Sequence, residues 1–263
     1  MSIDHDSPDF VTSLARGLSV VRAFGNHSSP LSLPEVAQKT ELSRPTARRF
    51  LLTLAALGYV RTDGKRFWLA PKALELGYAY LSSMSVSDIV QASLQHLVEQ
   101  LDESCAMAVL NDWEILYIAR VPPKHSMWLQ VFVGTRQPLY CTSSGRVLMA
   151  DMQPDQLTKY FGAVERPKLT EHTVTEEQAL RGILDGVRAS GYALIDQEVE
   201  TGLRAIAVPV HGQNARVVAS ISVGAHTGRV TRSDMIERIL PPLKECAREI
   251  EQLLIRSDSM IGR

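Results

Sequence analysis

The chain has 263 residues, 45% of them hydrophobic, so it is long enough for one large or two modest domains with buried cores. Its formal net charge is −1, but residues 10–80 hold ten basic and four acidic side chains and carry +6, which leaves −7 for the rest. The three cysteines are scattered and form no C-x-x-C pair, which argues against a disulfide framework and a zinc knuckle. The polar and acidic start argues against a signal peptide, and no apolar run approaches the roughly 20 residues of a membrane span, which argues against a membrane partner. These features predict a cytoplasmic protein.

Two short helices are predicted after a flexible tail at residues 1–11. In "SLARGLSVVRAF", apolar residues recur at helical spacing. The second helix is expected in "SLPEVAQKT", where Ser32 and Glu35 stand three residues apart in a capping-box pattern.

A third helix carries a basic cluster with no acid to pair it. In "SRPTARRFLLTLAALGYV", Ser43 is a suitable N-cap, and an apolar stripe at spacings of three and four leaves Arg44, Arg48 and Arg49 facing outward. Cations at a helix N-terminus are locally unfavourable because the macrodipole is already positive there. An anionic partner explains the cluster, and an ordinary solvated basic face is the alternative.

A β-hairpin with cations follows in "GYVRTDGKRFWLAP". Asp63-Gly64 is a strong hairpin-turn signal between two short strands. Two helices joined by about three residues and followed by such a hairpin predict a winged helix-turn-helix over residues 12–71, with double-stranded DNA as its partner. We expect base or phosphate contacts from Arg44, Arg48 and Arg49, and backbone or minor-groove contacts from Ser43, Thr46, Lys65, Arg66 and Arg16.

The rest of the chain mixes predicted strands and helices, so the fold class is α+β. A linker helix is predicted over residues 72–86 and a second domain over residues 87–263. Strands are expected in "CAMAVLNDWEILYIARV", "SMWLQVFVGT", "ALIDQEVETGLRAIAVPV" and "RVVASISVGA". The closing helix is expected to be interrupted near Pro241 and Pro242.

No catalytic constellation is recognisable. The chain has no G-x-S-x-G, H-E-x-x-H, Walker A or G-x-G-x-x-G motif. Nothing in the sequence points to a base for Cys141. Glu198 and Glu200 alternate on a predicted strand, which is more typical of a solvated face than of an acid/base pair. We therefore predict no catalytic residue, no cofactor and no metal ligand; an enzyme that uses the N-terminal module as a tether is the less favoured alternative.

A polar bend is conspicuous in the second domain. Thr142, Ser143 and Ser144 stand where a helix is predicted to begin, and free N–H groups there favour a carboxylate. Trp128 and Tyr140 could wall an apolar pocket. The combination suits a small organic acid, and ordinary helix capping by Ser143 or Ser144 is the alternative explanation.

Six stretches of the sequence carry a family resemblance: "TSLARGLSVVRAF", "SRPTARRFLLTLAALGYV", "LELGYAYLSS", "YCTSSGRVLMA", "GYALIDQEVETGLRAIAVPV" and "AHTGRVTRSD". Taken together, they resemble the IclR family of bacterial transcriptional regulators, most closely the branch with PcaR, PcaU and PobR. The resemblance implies a winged helix-turn-helix, a linker helix and a C-terminal GAF-like effector-binding domain. It also implies dimers or tetramers on palindromic operator DNA. The effectors of this branch are aromatic-catabolism acids such as protocatechuate, 4-hydroxybenzoate or β-ketoadipate, so a small aromatic or dicarboxylic acid is the implied ligand.

The resemblance also implies which residues line the effector pocket. They are the bend Thr142, Ser143, Ser144 and Gly145, the strand with Arg204 and Ala205, and the strand with Ser220 and Ser222. Some members have a cysteine where Ala205 stands and an aspartate where Ile195 stands, and this branch is expected to have methionine where Ser144 stands. The first two departures argue against a glyoxylate-type pocket and favour a more apolar ligand.

RNA polymerase is a further candidate partner for such a regulator. Two alternatives to an aromatic-acid regulator stay open. One is an IclR-type regulator of another small-carboxylate pathway, and the other is a constitutive DNA binder with a vestigial ligand domain.

Overall fold

The computed structural model describes residues 7–25, 29–77, 87–124, 131–212 and 214–261. The chain divides into two compact units, Met1–Ser83 and Met84–Arg263. Both combine helices with antiparallel sheets, which confirms the α+β class. Over the described ranges, no helix is long and apolar enough to cross a membrane.

Over residues 12–69, the described part of the first unit holds three helices and a small sheet. The helices are Thr12–Arg22 (α1), Leu33–Lys39 (α2) and Arg44–Ala56 (α3). The strands are Leu31–Ser32 (β1), Val60–Thr62 (β2) and Arg66–Leu69 (β3), paired antiparallel in the order β1-β3-β2. One apolar cluster holds these elements together, and it consists of Val20, Phe24, Leu31, Val36, Leu51, Val60 and Phe67. The order of helices and hairpin is that of the predicted winged helix-turn-helix.

Short-range signals account for the boundaries of these elements. The Glu35 carboxylate accepts hydrogen bonds from the Ser32 N–H at 2.7 Å and the Ser32 hydroxyl at 2.6 Å, where α2 begins. The Ser43 hydroxyl accepts from the Thr46 N–H at 3.4 Å, where α3 begins. In the hairpin turn Gly64 has φ +93°, a conformation that glycine adopts without steric cost.

The segment after the hairpin begins as a helix. A 3₁₀ turn at Pro71–Ala73 continues into helical residues 74–77. The remainder of the predicted linker helix, residues 78–86, lies outside the described residues, as do residues 1–6 of the predicted tail.

The second unit is built on a six-stranded sheet with helices on both faces. Its strands are Ser104–Asn111 (β4), Glu114–Val121 (β5), Arg136–Pro138 (β6), Ala193–Asp196 (β7), Leu203–His211 (β8) and Val217–His226 (β9). Its helices are Ser87–Leu101 (α4), Ser143–Ala150 (α5), Pro154–Ala163 (α6), Glu177–Ser190 (α7), Arg232–Asp234 (α8) and Leu240–Ile261 (α9). A π-helical stretch at Met235–Ile239 joins α8 to α9.

Every neighbouring pair of strands in this sheet is antiparallel, in the order β6-β5-β4-β9-β8-β7. One face packs against α4 and α9, with Leu97, Ile221 and Leu243 in a common core. The other face packs against α5, α6 and α7, with Tyr140 and Leu184 in a second core. The cavity described below opens on this second face.

Three predicted boundaries in the second unit differ from the structure. Of "SMWLQVFVGT", residues 126–130 lie outside the described residues, residues 131–135 form no strand, and the strand nearby is β6. The strand predicted through "ALIDQEVETGLRAIAVPV" is instead a hairpin, because residues 197–202 turn the chain so that Asp196 pairs with Arg204. The interruption near Pro241 is confirmed: the π-helical stretch stands just before the prolines, which lack the N–H that an α-helix requires.

Candidate DNA-binding surface and effector cavity

The first unit presents the arginines of α3 to solvent. Ala47 and Leu51 are buried and decide which face of α3 meets the core. Arg44, Arg48 and Arg49 lie on the other side and are exposed, and over the described ranges none has a side-chain hydrogen bond or ion pair. Guanidinium groups held outward on an anchored helix can reach phosphate oxygens and base edges.

The hairpin adds cations at its tip. The Asp63 carboxylate accepts hydrogen bonds from the Arg66 N–H at 2.7 Å and the Lys65 N–H at 2.9 Å. These bonds lower the pKa of the Asp63 carboxyl because they favour its charged form, and the bond from Arg66 has the largest effect. The Arg66 guanidinium donates to the Pro30 carbonyl at 3.1 Å and so fastens β3 to the loop before β1. Lys65, exposed at the tip, is the more available of the two cations.

The remaining predicted DNA contacts are also in the first unit. Arg16 is exposed on α1. The Ser43 and Thr46 hydroxyl oxygens lie 2.8 Å apart, so these two side chains already bind each other at the start of α3. A phosphate contact from either would compete with that bond. Direct contact with DNA stays a prediction for all eight residues.

The second unit has a partly open cavity between its sheet and the start of α5. Small side chains form the floor: Ala106 pairs with Ser222, and Gly224 pairs with both Ser104 and Ala205. The space exists because small residues occupy neighbouring positions on adjacent strands, whereas bulkier side chains would fill it.

The cavity is apolar at one side and polar at the other. Ile195 on β7 and Leu203 on β8 line the side toward one edge of the sheet. Tyr117 and Arg120 on β5 and Gln137 on β6 line the side toward the opposite edge. A ligand with an apolar body and one polar end would match both sides.

A β-bulge brings Tyr117 and Arg120 to the same face. In regular alternation, two residues three apart point to opposite faces of a sheet. On β4, Met107 pairs with Ala119 whereas Ala108 pairs with Tyr117, so β5 carries one extra residue, Ile118. The extra residue shifts the alternation, and both polar side chains line the cavity.

Both of these side chains have polar neighbours in the cavity wall. The Tyr117 hydroxyl donates to Gln137 Oε1 at 3.1 Å, and Arg120 Nε donates to Ser104 Oγ at 3.4 Å. Burial raises the pKa of the Tyr117 hydroxyl and lowers the pKa of the Arg120 guanidinium, because it penalises the charged form of each. The described lining of the cavity contains no acidic side chain.

The bend at the start of α5 is closely packed. The Thr142 hydroxyl accepts from the Gly145 N–H at 3.1 Å and donates to the Pro138 carbonyl at 2.8 Å. A Cβ on Gly145 would overlap the Leu139 backbone, so only glycine fits there. Ser143 lines the cavity, whereas the Ser144 hydroxyl is buried without a partner among the described residues. Capping by Thr142 therefore explains part of this polar cluster.

The predicted effector contacts fall into three groups. Thr142, Ser143, Ala205 and Ser222 line the cavity. Trp128 lies outside the described residues. The others lie off the described lining, and they are Tyr140, Ser144, Gly145, Arg204 and Ser220. Contact with an effector stays a prediction for all ten.

Three of the residues off the lining are bound elsewhere. The Tyr140 hydroxyl donates to the Pro167 carbonyl at 2.5 Å. Arg204 alternates with Ala205 on β8, so its side chain points to the opposite face, where it pairs with Asp196 at 2.8 Å. The Ser220 hydroxyl faces the Ala108 carbonyl at 3.5 Å.

A buried ion pair fixes one wall of the cavity. Arg146 on α5 makes two hydrogen bonds of 2.6 Å to the carboxylate of Glu198, and both side chains are buried. The Glu198 carboxylate also accepts from the Val174 N–H at 3.1 Å. The interpretation of Glu198 as a solvated strand residue was wrong, because the residue is in the turn 197–202 and faces inward. The pair holds that turn where its Val199 lines the cavity.

Comparison with known proteins agrees with this architecture. The model of the IclR helix-turn-helix domain matches residues 13–64, and the model of the bacterial transcriptional regulator IclR C-terminal domain matches residues 78–252. The Pca regulon regulatory protein of Pseudomonas putida is 41% identical over 244 residues, which cover 92% of this chain and 84% of that protein. The p-hydroxybenzoate hydroxylase transcriptional activator of Acinetobacter baylyi is 34% identical over 251 residues, which cover 94% of this chain and 93% of that protein.

Solved structures give the same result. A putative transcriptional regulator from Rhodococcus sp. RHA1 is 42% identical with a TM-score of 0.82, over 93% of this chain and 98% of that one. A double mutant of the PobR inducer-binding domain from Acinetobacter, in complex with 3-hydroxybenzoic acid, is 29% identical with a TM-score of 0.60, over 63% of this chain and 97% of that one. The relatives named are regulators, not enzymes. The resemblance is thus confirmed, and this chain belongs to the IclR family of bacterial transcriptional regulators.

Proposed function

We propose that the protein regulates genes for the breakdown of aromatic acids and that a small aromatic or dicarboxylic acid of that breakdown is its effector. The observation that carries the proposal is the cavity of the second unit, which has an apolar side at Ile195 and Leu203 and a cation, Arg120, at the other. An aromatic carboxylate has the same two parts. The names of the relatives, which refer to the Pca regulon, to p-hydroxybenzoate hydroxylase and to a 3-hydroxybenzoic acid complex, support the assignment.

DNA binding is assigned to the first unit, over residues 12–71. We expect α3 to lie in the major groove with its arginines toward phosphates and bases, while Lys65 approaches the backbone from the hairpin. A homodimer or homotetramer would set two such helices about 34–36 Å apart, one turn of DNA. Residues 72–86 would form the linker helix, and residues 87–263 the GAF-like effector domain, in a protein that acts in the cytoplasm and contacts RNA polymerase.

The coupling between the two sites is the testable core of this function. An acid that binds the two conformations of the protein with different affinities shifts the balance between them, typically by about 1–3 kcal/mol. Such a shift changes operator affinity by about 5- to 150-fold. A constitutive DNA binder would show no such change.

The experiment is a titration of the purified protein on its own upstream intergenic DNA, repeated with protocatechuate, 4-hydroxybenzoate and β-ketoadipate. We expect one acid to change the affinity or the footprint. Acetate at equal ionic strength is the control, because salt alone weakens binding to DNA. Tight binding that is indifferent to all three acids would leave the DNA-binding assignment intact and contradict the aromatic-acid assignment.

A further inference from the structure

We propose that Arg120 holds the carboxylate of the effector, so that the ring of the acid extends over the small residues of the floor toward Ile195 and Leu203. The inference rests on the proposed function and deepens it by naming the anchoring contact and the orientation of the ligand. Neither the motifs in the sequence nor the family resemblance pointed to Arg120.

The first argument is charge. Arg120 is the one charged residue in the described lining, which otherwise consists of apolar, hydroxyl, amide and glycine residues. A carboxylate that leaves water for such a cavity loses its hydration, and the loss is large unless a cation replaces it. A guanidinium presents two parallel N–H groups that match the two carboxylate oxygens.

The second argument is position. Arg120 Nε is 3.4 Å from Ser104 Oγ, and its guanidinium carbon is 5.8 Å from the centroid of the Phe132 ring. The group is thus held between the floor and an aromatic face. The β-bulge at Ile118 is what turns the side chain toward the cavity. On the far side the wall is aliphatic, so a ligand with one anionic end has only one favourable orientation.

The start of α5 is the competing anchor for a carboxylate. The N-terminus of a helix carries about half an elementary charge, whereas a guanidinium carries a full one. Part of the helix start is already satisfied, because the Gly145 N–H donates to the Thr142 hydroxyl. We therefore assign the carboxylate to Arg120 and a supporting contact to Ser143.

The test measures dissociation constants by calorimetry for 4-hydroxybenzoate and protocatechuate, each beside its neutral amide, which keeps the ring and removes the charge. Wild type is compared with Arg120→Met and Arg120→Lys. Arg136→Met is the matched control, because Arg136 is an arginine of the neighbouring strand that pairs with Glu114 at the surface, outside the cavity lining.

We expect Arg120→Met to weaken binding of the acid by about 10- to 100-fold, the range of a charge-assisted hydrogen bond, while affinity for the amide changes by less than about 3-fold. The affinity of Arg120→Lys for the acid should lie between those of wild type and Arg120→Met, since lysine keeps the charge and lacks the paired donors. Arg136→Met should bind both ligands as wild type does.

The failures are distinguishable. If wild type binds neither acid, this inference is overturned, and the proposed function falls with it only when operator binding is also indifferent to β-ketoadipate. If wild type binds an acid and Arg120→Met or Arg120→Lys binds it equally well, the function stands and the carboxylate is held elsewhere, with Ser143 the next candidate. Operator binding and thermal unfolding of each variant establish that it is folded. Should Arg120→Met not fold, the ratio of acid to amide affinity in Arg120→Lys decides: an unchanged ratio overturns the inference.

Discussion

The arginines of α3 show how single side chains acquire a role from the backbone beneath them. Ala47 and Leu51 are buried and hold the helix in one rotational setting. Arg44, Arg48 and Arg49 are therefore displayed to solvent, next to a helix N-terminus that is itself positive. This placement costs stability and is understandable if the partner is an anion such as DNA. The residues differ in what they would contact, and that difference can be measured.

Arg48→Ala and Arg49→Ala should have separable effects on operator binding. Replacement of a base-reading arginine should weaken operator binding by about 1–3 kcal/mol and relax the sequence preference at one position. Replacement of a phosphate-binding arginine should weaken binding to all sequences alike. It should also reduce, by about one, the slope of the logarithm of the binding constant against the logarithm of the salt concentration. Fluorescence anisotropy on operator and scrambled DNA at several salt concentrations measures both, with Arg181→Ala on the second unit as the control. Normal binding by both variants would show that α3 is not the recognition helix.

Two elements of the second unit owe their shape at the cavity to local irregularity. β5 carries the bulge at Ile118 that turns Tyr117 and Arg120 to one face. The bend before α5 depends on Gly145, where backbone and helix approach so closely that no side chain fits. Both irregularities stand at the cavity, where regular strand or helix geometry would have closed the space or turned polar groups away from it.

Gly145→Ala should destabilise the protein by about 2 kcal/mol or more, because the new Cβ would overlap the Leu139 backbone and force the helix away from it. Gly186→Ala is the matched control: Gly186 is an exposed residue of α7, and its Cβ would meet no atom within 4 Å. This control should be neutral or stabilise by up to about 1 kcal/mol, since alanine favours helices. Urea denaturation measures both, and equal stability of the two variants would refute the close approach.

At the scale of the whole molecule, contacts between distant parts of the chain shape the cavity. Arg146 and Glu198 are 52 residues apart, yet they make two hydrogen bonds of 2.6 Å in a buried environment. The pair joins α5 to the turn 197–202, and both of these line the cavity. A buried pair of this kind contributes little net stability compared with apolar packing, but the loss of one partner is costly because it leaves a charge buried alone.

Arg146→Met should therefore destabilise the protein by about 3–5 kcal/mol. Glu198→Gln combined with Arg146→Met should recover part of that loss, since no charge then stays buried without a partner. Denaturation of the two single variants and the double variant gives the coupling energy. Arg181→Met, which breaks a pair with Glu177 that is partly exposed, should cost no more than about 1 kcal/mol. Strict additivity of the two buried changes would contradict this account.

Much of the first unit could be predicted because its determinants are local. The capping residues Ser32 and Ser43, the apolar stripe of α3 and the turn at Gly64 each act within a few residues, and the structure has all of them where expected. In the second unit, the interruption before Pro241 was predictable for the same reason. Of the predicted effector contacts, the ones that line the cavity, such as Thr142 and Ala205, came from the polar bend or from the family resemblance.

The sequence by itself determined the fold class, the winged helix-turn-helix and the outward arginines, because periodicity, capping and turn chemistry are read over a few residues. The family followed from the resemblance of whole stretches of the sequence. The tertiary structure decided what surrounds the cavity. Arg120 faces inward only because a bulge breaks the alternation of β5, and Glu198 is buried only because Arg146 reaches it from another element. Both depend on contacts between distant residues, and no short-range pattern encodes them.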